Sequence, residues 1–233
     1  MSKIIIFSIL VIGLAACTTE EIVSDKVVST NVFGPHFYTY DTIPKIYVYR
    51  DVAGGLEEQF HRVFGIKDTQ GEHIIVEIYT DQGRIIEALN YNVDSLDIMD
   101  HMVVDRNQLK QKAELFKNRL IPEDKKSTAA FASRFAGIMD STLFLHEINR
   151  TYSSTKKIDV MGKQIEAVVF KDKIRLTLFN PFTKMEDEKV GESVVYFAKD
   201  FGLVEWHTPN KKGHYKLEKT MTQEEFVNLM STQ

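Results

Sequence analysis

Val194-Val195-Tyr196-Phe197-Ala198-Lys199-Asp200-Phe201-Gly202-Leu203-Val204-Glu205-Trp206-His207 is the stretch that decides the fold. Val194 to Ala198 is a run of strand-forming residues, Asp200-Phe201-Gly202 has turn chemistry, and Leu203 to His207 is a second strand. Tyr215 to Lys219 follows after a turn at residues 209–213, so three short strands form an antiparallel meander. In the first strand Val194, Tyr196 and Ala198 alternate with Val195 and Phe197, so both faces are apolar. Val204 and Trp206 share one face of the next, opposite Glu205 and His207. A strand apolar on both faces is covered by another layer or lines a ligand cavity. Trp206 is expected to be largely buried, opposite Phe197 and Lys216, with His207 opposite Tyr196 and Tyr215. Thr222-Gln223-Glu224-Glu225 then resembles a capping box that opens a C-terminal helix, with Phe226, Leu229 and Met230 as its inner face.

Outward from this meander the same style recurs. Residues 46–49 are strand formers. Phe60, Phe64 and Ile66 alternate with polar or small neighbours, and Ile74, Val76 and Ile78 alternate with His73, Glu77 and Tyr79. Asp81-Gln82-Gly83-Arg84 is a tight turn in which Gly83 supplies a positive φ. Strands are expected over 85–91, 98–104 and 143–152. A hairpin turns at Met161-Gly162, and residues 174–179 form a strand after a turn at Lys171-Asp172. Two stretches are ambiguous. Leu109, Ala113, Phe116 and Leu120 recur at helical spacing, although an edge strand also fits, and residues 127–135 read as a short helix before Gly137. The expectation is a mainly β protein: one large curved antiparallel sheet, meander or half-barrel, covered by one or two helices.

The 233 residues carry 29 Lys and Arg against 33 Asp and Glu, a formal charge of −4, with 43% hydrophobic and 27% charged residues. That is a globular composition, and its slight acidity excludes a basic nucleic-acid binder. Cys17 is the one cysteine. No disulfide, CxxC pair or zinc-thiolate site can therefore form elsewhere in the chain.

The N-terminus resembles that of a bacterial lipoprotein. Lys3 supplies a positive charge, residues 4–14 form an apolar run too short to span a bilayer, and Leu14-Ala15-Ala16-Cys17 resembles a lipobox. The resemblance implies a signal peptide over 1–16, cleavage before Cys17, and lipidation of the Cys17 thiol. It further implies a polar tether over 17–31, a single β-rich domain over 32–233, and membrane attachment through acyl chains. Thr18 stands where an Asp would resemble the inner-membrane retention signal of enteric bacteria, which implies the outer membrane. The hairpin from Tyr196 to Val204 is similar to β-meander modules of uncharacterised bacterial lipoproteins. The overall pattern resembles carrier- and lipocalin-like shells, a likeness of architecture that implies no functional residues.

No catalytic residue, cofactor site or metal ligand is assigned. G-x-S-x-G, GxxxxGK and G-x-G-x-x-G are absent, and His146-Glu147 lacks the second histidine of a zincin because position 150 is Arg150. The domain is expected to fold without metal, nucleotide or disulfide. The aromatics Tyr47, Tyr49, Tyr196 and Trp206 are candidates for contacting a ligand, with packing on the sheet as the competing assignment. Asp41-Thr42-Ile43, Asp94-Ser95-Leu96 and Asp140-Ser141-Thr142 resemble a short bacterial O-glycosylation motif. The functional expectation is a non-catalytic envelope lipoprotein that binds or carries an apolar or envelope-derived ligand. The alternatives are a structural or scaffolding subunit of an outer-membrane protein assembly and, behind it, an envelope hydrolase.

Overall fold

The computed structural model describes residues 29–105, 109–137, 142–208 and 213–232. The signal segment, Cys17, most of the tether, the 209–212 part of the last turn and Asp140-Ser141 lie outside them. Among the described residues thirteen strands form one antiparallel sheet. They are β1 (Lys45–Asp51), β2 (Gln59–Asp68), β3 (Gly71–Thr80), β4 (Ile85–Asn92), β5 (Ile98–Val104), β6 (Lys110–Lys112), β7 (Glu114–Asn118), β8 (Thr128–Ala136), β9 (Leu143–Val160), β10 (Lys163–Phe179), β11 (Glu186–Ala198), β12 (Gly202–His207) and β13 (His214–Thr222). The order is β6-β5-β4-β3-β2-β1-β13-β12-β11-β10-β9-β8-β7. Every step pairs sequence neighbours except β1 with β13, which joins the two halves (Ile46 opposite Met221, Asp51 opposite Tyr215).

The two ends of this order are consecutive in sequence. Only Ala113 separates β6 from β7, so one segment bonds β5 with its first half and β8 with its second. The Ala113 N–H donates to the His101 carbonyl at 2.9 Å, and Asp97 and Arg119 form a further antiparallel bridge. The edges therefore meet and the sheet curls into a nearly closed barrel, which hides the unpaired backbone an open edge would expose. The expectation of a large curved antiparallel sheet is met.

The 109–120 segment is strand, not helix. Ala113 and Leu120 are buried while Leu109 and Phe116 are exposed, so the helical spacing marks no common face. Residues 128–136 are likewise strand. Ala129, Phe131 and Ser133 alternate inward, and the register to β9 (Phe131 opposite Ile148) overrides local helix propensity. Lys171-Asp172 is not a turn, because β10 runs through it unbroken. One α-helix, α1 (Gln223–Ser231), is present among the described residues; no helix there is long and apolar enough to cross a membrane. The Thr222 hydroxyl accepts from the Glu225 N–H and the Glu225 carboxylate accepts from the Thr222 N–H, so the capping box forms as read. The helix lays Phe226, Leu229 and Met230 on the outward Ile46, Val48 and Phe60.

The residues before β1 pack inside the barrel at one end. Thr30 N–H donates to the Asp94 carbonyl and Asn31 Nδ2 to the Pro122 carbonyl. Pro35 then sits in a 3-10 turn, Gly34–His36. Phe33, Phe37 and Tyr38 are buried as a plug, with Phe33 edge-on to Phe170 at 5.0 Å and Phe37 edge-on to Tyr91 at 4.9 Å. Gly202 (φ 77°) permits the plug, since a Cβ there would lie 2.4 Å from the Tyr38 ring.

Candidate functional site

The period-2 alternation of each strand sends one set of side chains into the barrel. A cavity of about 310 Å³ remains among them. Phe37, Tyr38 and Tyr91 close it on the plug side, Trp206 and Phe197 form a wall, and Gln59 and Thr208 mark the opposite rim. Its size and apolar, aromatic lining with few polar groups are those of a small-ligand site.

Three polar elements face this space. Arg150 and Asp172 form a buried bidentate pair, with Nε to Oδ1 and Nη2 to Oδ2 both at 2.8 Å. Burial alone would lower the Arg150 pKa, but Asp172 reverses this and holds it raised. The guanidinium also lies over Phe197 at 5.6 Å. Ser193 Oγ donates to the His207 carbonyl. His61 differs from both. It is 4% exposed, it packs against Tyr49 (4.5 Å) and Trp206 (5.8 Å), and neither ring nitrogen has a hydrogen-bond partner. Burial pushes its pKa down to about 3, so the ring is neutral and offers one donor and one acceptor.

A second polar layer faces inward nearby. His101 Nε2 lies 2.9 Å from Glu87 Oε1. Burial pushes the Glu87 carboxyl up, but the hydrogen bond and charge of His101 outweigh it, leaving the pKa lowered. His101 Nδ1 and Ser133 Oγ are buried without partners. A second cavity of about 360 Å³ lies one inward layer further along, where Ile85, Val103, Phe135 and Phe144 follow Glu87, His101, Ser133 and His146 at spacing two.

Of the four aromatics singled out from sequence, Trp206 lines the 310 Å³ cavity. Tyr47 and Tyr49 are buried in the core, Tyr49 donating to the Leu203 carbonyl at 2.7 Å. Tyr196 lies half-buried under Lys156, which sits 4.6 Å over its ring. Trp206 is half-buried rather than fully buried, because the cavity leaves one side of the indole unpacked. It stands opposite Val195 and Tyr215, not Phe197 and Lys216, and His207 stands opposite Val194 and His214. The hairpin is tighter than the turn chemistry implied, pairing Ala198 with Gly202, and a bulge follows between Tyr196 and Phe197. His61 and the Arg150–Asp172 pair were not singled out. The register about Met161-Gly162 carried a signal for the latter, since it brings Arg150 and Asp172 together once one bulge is allowed.

No protein-family model matches the chain, and no curated protein matches it. Two solved structures are similar. One is a proposed lipoprotein from Parabacteroides distasonis, with TM-score 0.49 and 12% identity, covering 80% of this chain and 98% of that one. The other is a proposed exported protein with a YmcC-like fold from Bacteroides fragilis, with TM-score 0.45 and 11% identity, covering 80% of this chain and 99% of that one.

Proposed function

We propose that this protein is a non-catalytic cell-envelope lipoprotein, anchored through Cys17 to the outer membrane, that holds a small ligand inside its barrel. The observation that carries this reading is His61: a buried, neutral imidazole with both nitrogens unpartnered, facing an aromatic-lined cavity of about 310 Å³. Burying a polar group without a partner costs about 1–3 kcal/mol, which a ligand with a matching group would recover once the ring turns a nitrogen toward the cavity, since neither nitrogen opens onto it as the ring stands. The ligand has an apolar body and an uncharged hydrogen-bonding head. Arg150 and Asp172 already neutralise each other, and Glu87 is engaged by His101, so an ionic head finds no free countercharge. The volume suits one small molecule or the end of one acyl chain rather than a whole phospholipid. Binding is favoured over catalysis because Ser193 is committed to a backbone carbonyl and the ion pair is closed.

Trp206 is the only tryptophan, so its fluorescence reports on the cavity directly. Titration with a medium-chain alcohol or primary amide is expected to shift it saturably, and the matching carboxylate to act more weakly. His61→Leu is expected to weaken the uncharged ligand about 3- to 10-fold, the loss of one neutral hydrogen bond. No shift with any probe, together with a native mass accounted for by chain and Cys17 lipid alone, would remove the carrier reading. A docking role has one separate support: Phe182, Met185 and Val190 are strongly exposed on the β10–β11 hairpin.

A further inference from the structure

The outward face of β12 and β13 carries a second constellation, independent of the lumen. Glu205 and His207 are two apart on β12 and so share a face, the one opposite the inward Trp206. His214 is the direct cross-strand partner of His207. Residues at i, i+2 and directly across an antiparallel pair occupy three corners of a small triangle on one sheet face, within side-chain reach of a common point. The side chains do converge. His214 Nε2 lies 2.8 Å from Glu205 Oε1 and His207 Nε2 lies 3.9 Å from the same oxygen. One ligand atom from each of the three residues lies within 4.8 Å of the others, and all three residues are half-buried. The two imidazoles face one another at 4.0 Å with 22° between their planes.

We propose that Glu205, His207 and His214 form a binding site for a divalent transition-metal ion of the zinc class. Donor atoms around a tetrahedral zinc, at about 2.0–2.2 Å from the metal, stand about 3.4 Å from each other. The two separations at Glu205 Oε1 bracket that value, so small movements complete the set. Rotation about the Cβ–Cγ bond of each histidine, a broad torsion, splays the rings and aims both Nε2 lone pairs at one point. Two imidazoles and one carboxylate are a donor set that suits Zn²⁺, Ni²⁺ or Cu²⁺ and not Ca²⁺ or Mg²⁺, which take oxygen ligands. Lys216 approaches Glu205 at 3.6 Å, but through the other oxygen, Oε2, which leaves Oε1 to the histidines. The site is an addition to the fold rather than a condition of it, because the β12–β13 ladder brings the residues together. Trp206 and Tyr215, stacked at 4.7 Å on the inner side of the same two strands, make the cavity wall the element the ion would clamp.

The test is equilibrium binding of Zn²⁺ to the purified full-length chain in detergent, with Co²⁺ absorbance as a spectroscopic stand-in. The expected result is one ion per chain, a visible Co²⁺ band of tetrahedral intensity, and a rise in melting temperature with added Zn²⁺. His207→Gln and His214→Gln are each expected to weaken binding at least 10-fold and to abolish the Co²⁺ band while keeping the parent's melting temperature without metal. If either variant fails to fold, Glu205→Gln, which keeps the shape of the side chain, replaces it. Absence of saturable binding, or binding of unchanged affinity in the folded variants, would overturn the proposal. Neither result bears on the lumen reading, which the Trp206 titration in metal-free buffer decides separately.

Discussion

At the scale of single residues the lumen gives two sharp expectations. In the unfolded chain His61 takes up a proton below pH about 6.5, whereas in the folded barrel it stays neutral down to about pH 3. A group whose folded pKa is depressed loses stability as pH falls from the unfolded value toward the folded one. Between pH 7.5 and 5 this amounts to about 2 kcal/mol. His61→Leu lacks the group, so urea titrations at the two pH values should show a smaller fall for the variant by that amount. An equal fall in both proteins would mean that His61 is not held neutral. The Arg150–Asp172 pair behaves differently. Truncating one partner leaves a bare buried charge, so Arg150→Met should cost about 3–5 kcal/mol, and Arg150→Met with Asp172→Leu should recover most of it. Chemical denaturation of these two variants and of Asp172→Leu alone measures this as a coupling energy. Asp172 shows why such pairs are hard to read in sequence. Beside Lys171 it has the look of a turn, and only the strand register reveals that the partner is Arg150, buried 22 positions away.

Among the elements, α1 shows what a sequence states openly. Its cap, its acidic first turn and its apolar stripe lie within nine consecutive residues, so local chemistry alone specifies them. Thr222→Ala should cost about 0.5–2 kcal/mol, and Phe226→Ala, which empties the contact with Phe60 at 5.5 Å, about 3–5 kcal/mol. Denaturation midpoints check both, and a loss under 1 kcal/mol for Phe226→Ala would show that the helix is not a true cover. Hairpins with turn residues at their tips were legible for the same reason: Gly83 (φ 69°), Met161 with Gly162 (φ 50° and 79°) and Asp200 with Gly202 (φ 65° and 77°) all adopt the left-handed backbone that their turns require. The stretches 109–120 and 127–135, which carry helical spacing in sequence, lack such punctuation. Their strand state comes from partners β5, β8 and β9, contributed by distant sequence. The candidate site was less legible still. Trp206 could be singled out by type, but His61 matters because nothing bonds it, and an absent partner leaves no trace in a sequence.

Among the described residues the sheet is nearly closed, with one seam, and the seam is its weakest line. β6 and β7 have three and five residues and each pairs with one neighbour only, whereas β9 and β10 pair from Leu143 opposite Phe179 to Val160 opposite Lys163 with a single bulge between Val169 and Phe170. Arg119 fastens the seam through Asp97 (2.7 and 3.3 Å), while Glu123, on the same side, holds the guanidinium in place. These groups are partly exposed, so each contact contributes about a kilocalorie per mole or less and screens with salt. Opening the seam uncovers Ala113 and Leu120 and parts His101 of β5 from Phe131 and Phe135 of β8, a small share of the core, so it should occur below the free energy of global unfolding. Native-state hydrogen exchange tests this. Amides of β5 to β7 should exchange first and faster in high salt, with β1, β2 and β10 protected up to the global limit. Arg119→Ala should accelerate exchange at the seam by about 3- to 10-fold, equivalent to about 0.6–1.4 kcal/mol, and leave β10 unchanged. If the seam amides exchange only with global unfolding, the seam is no weaker than the rest of the barrel.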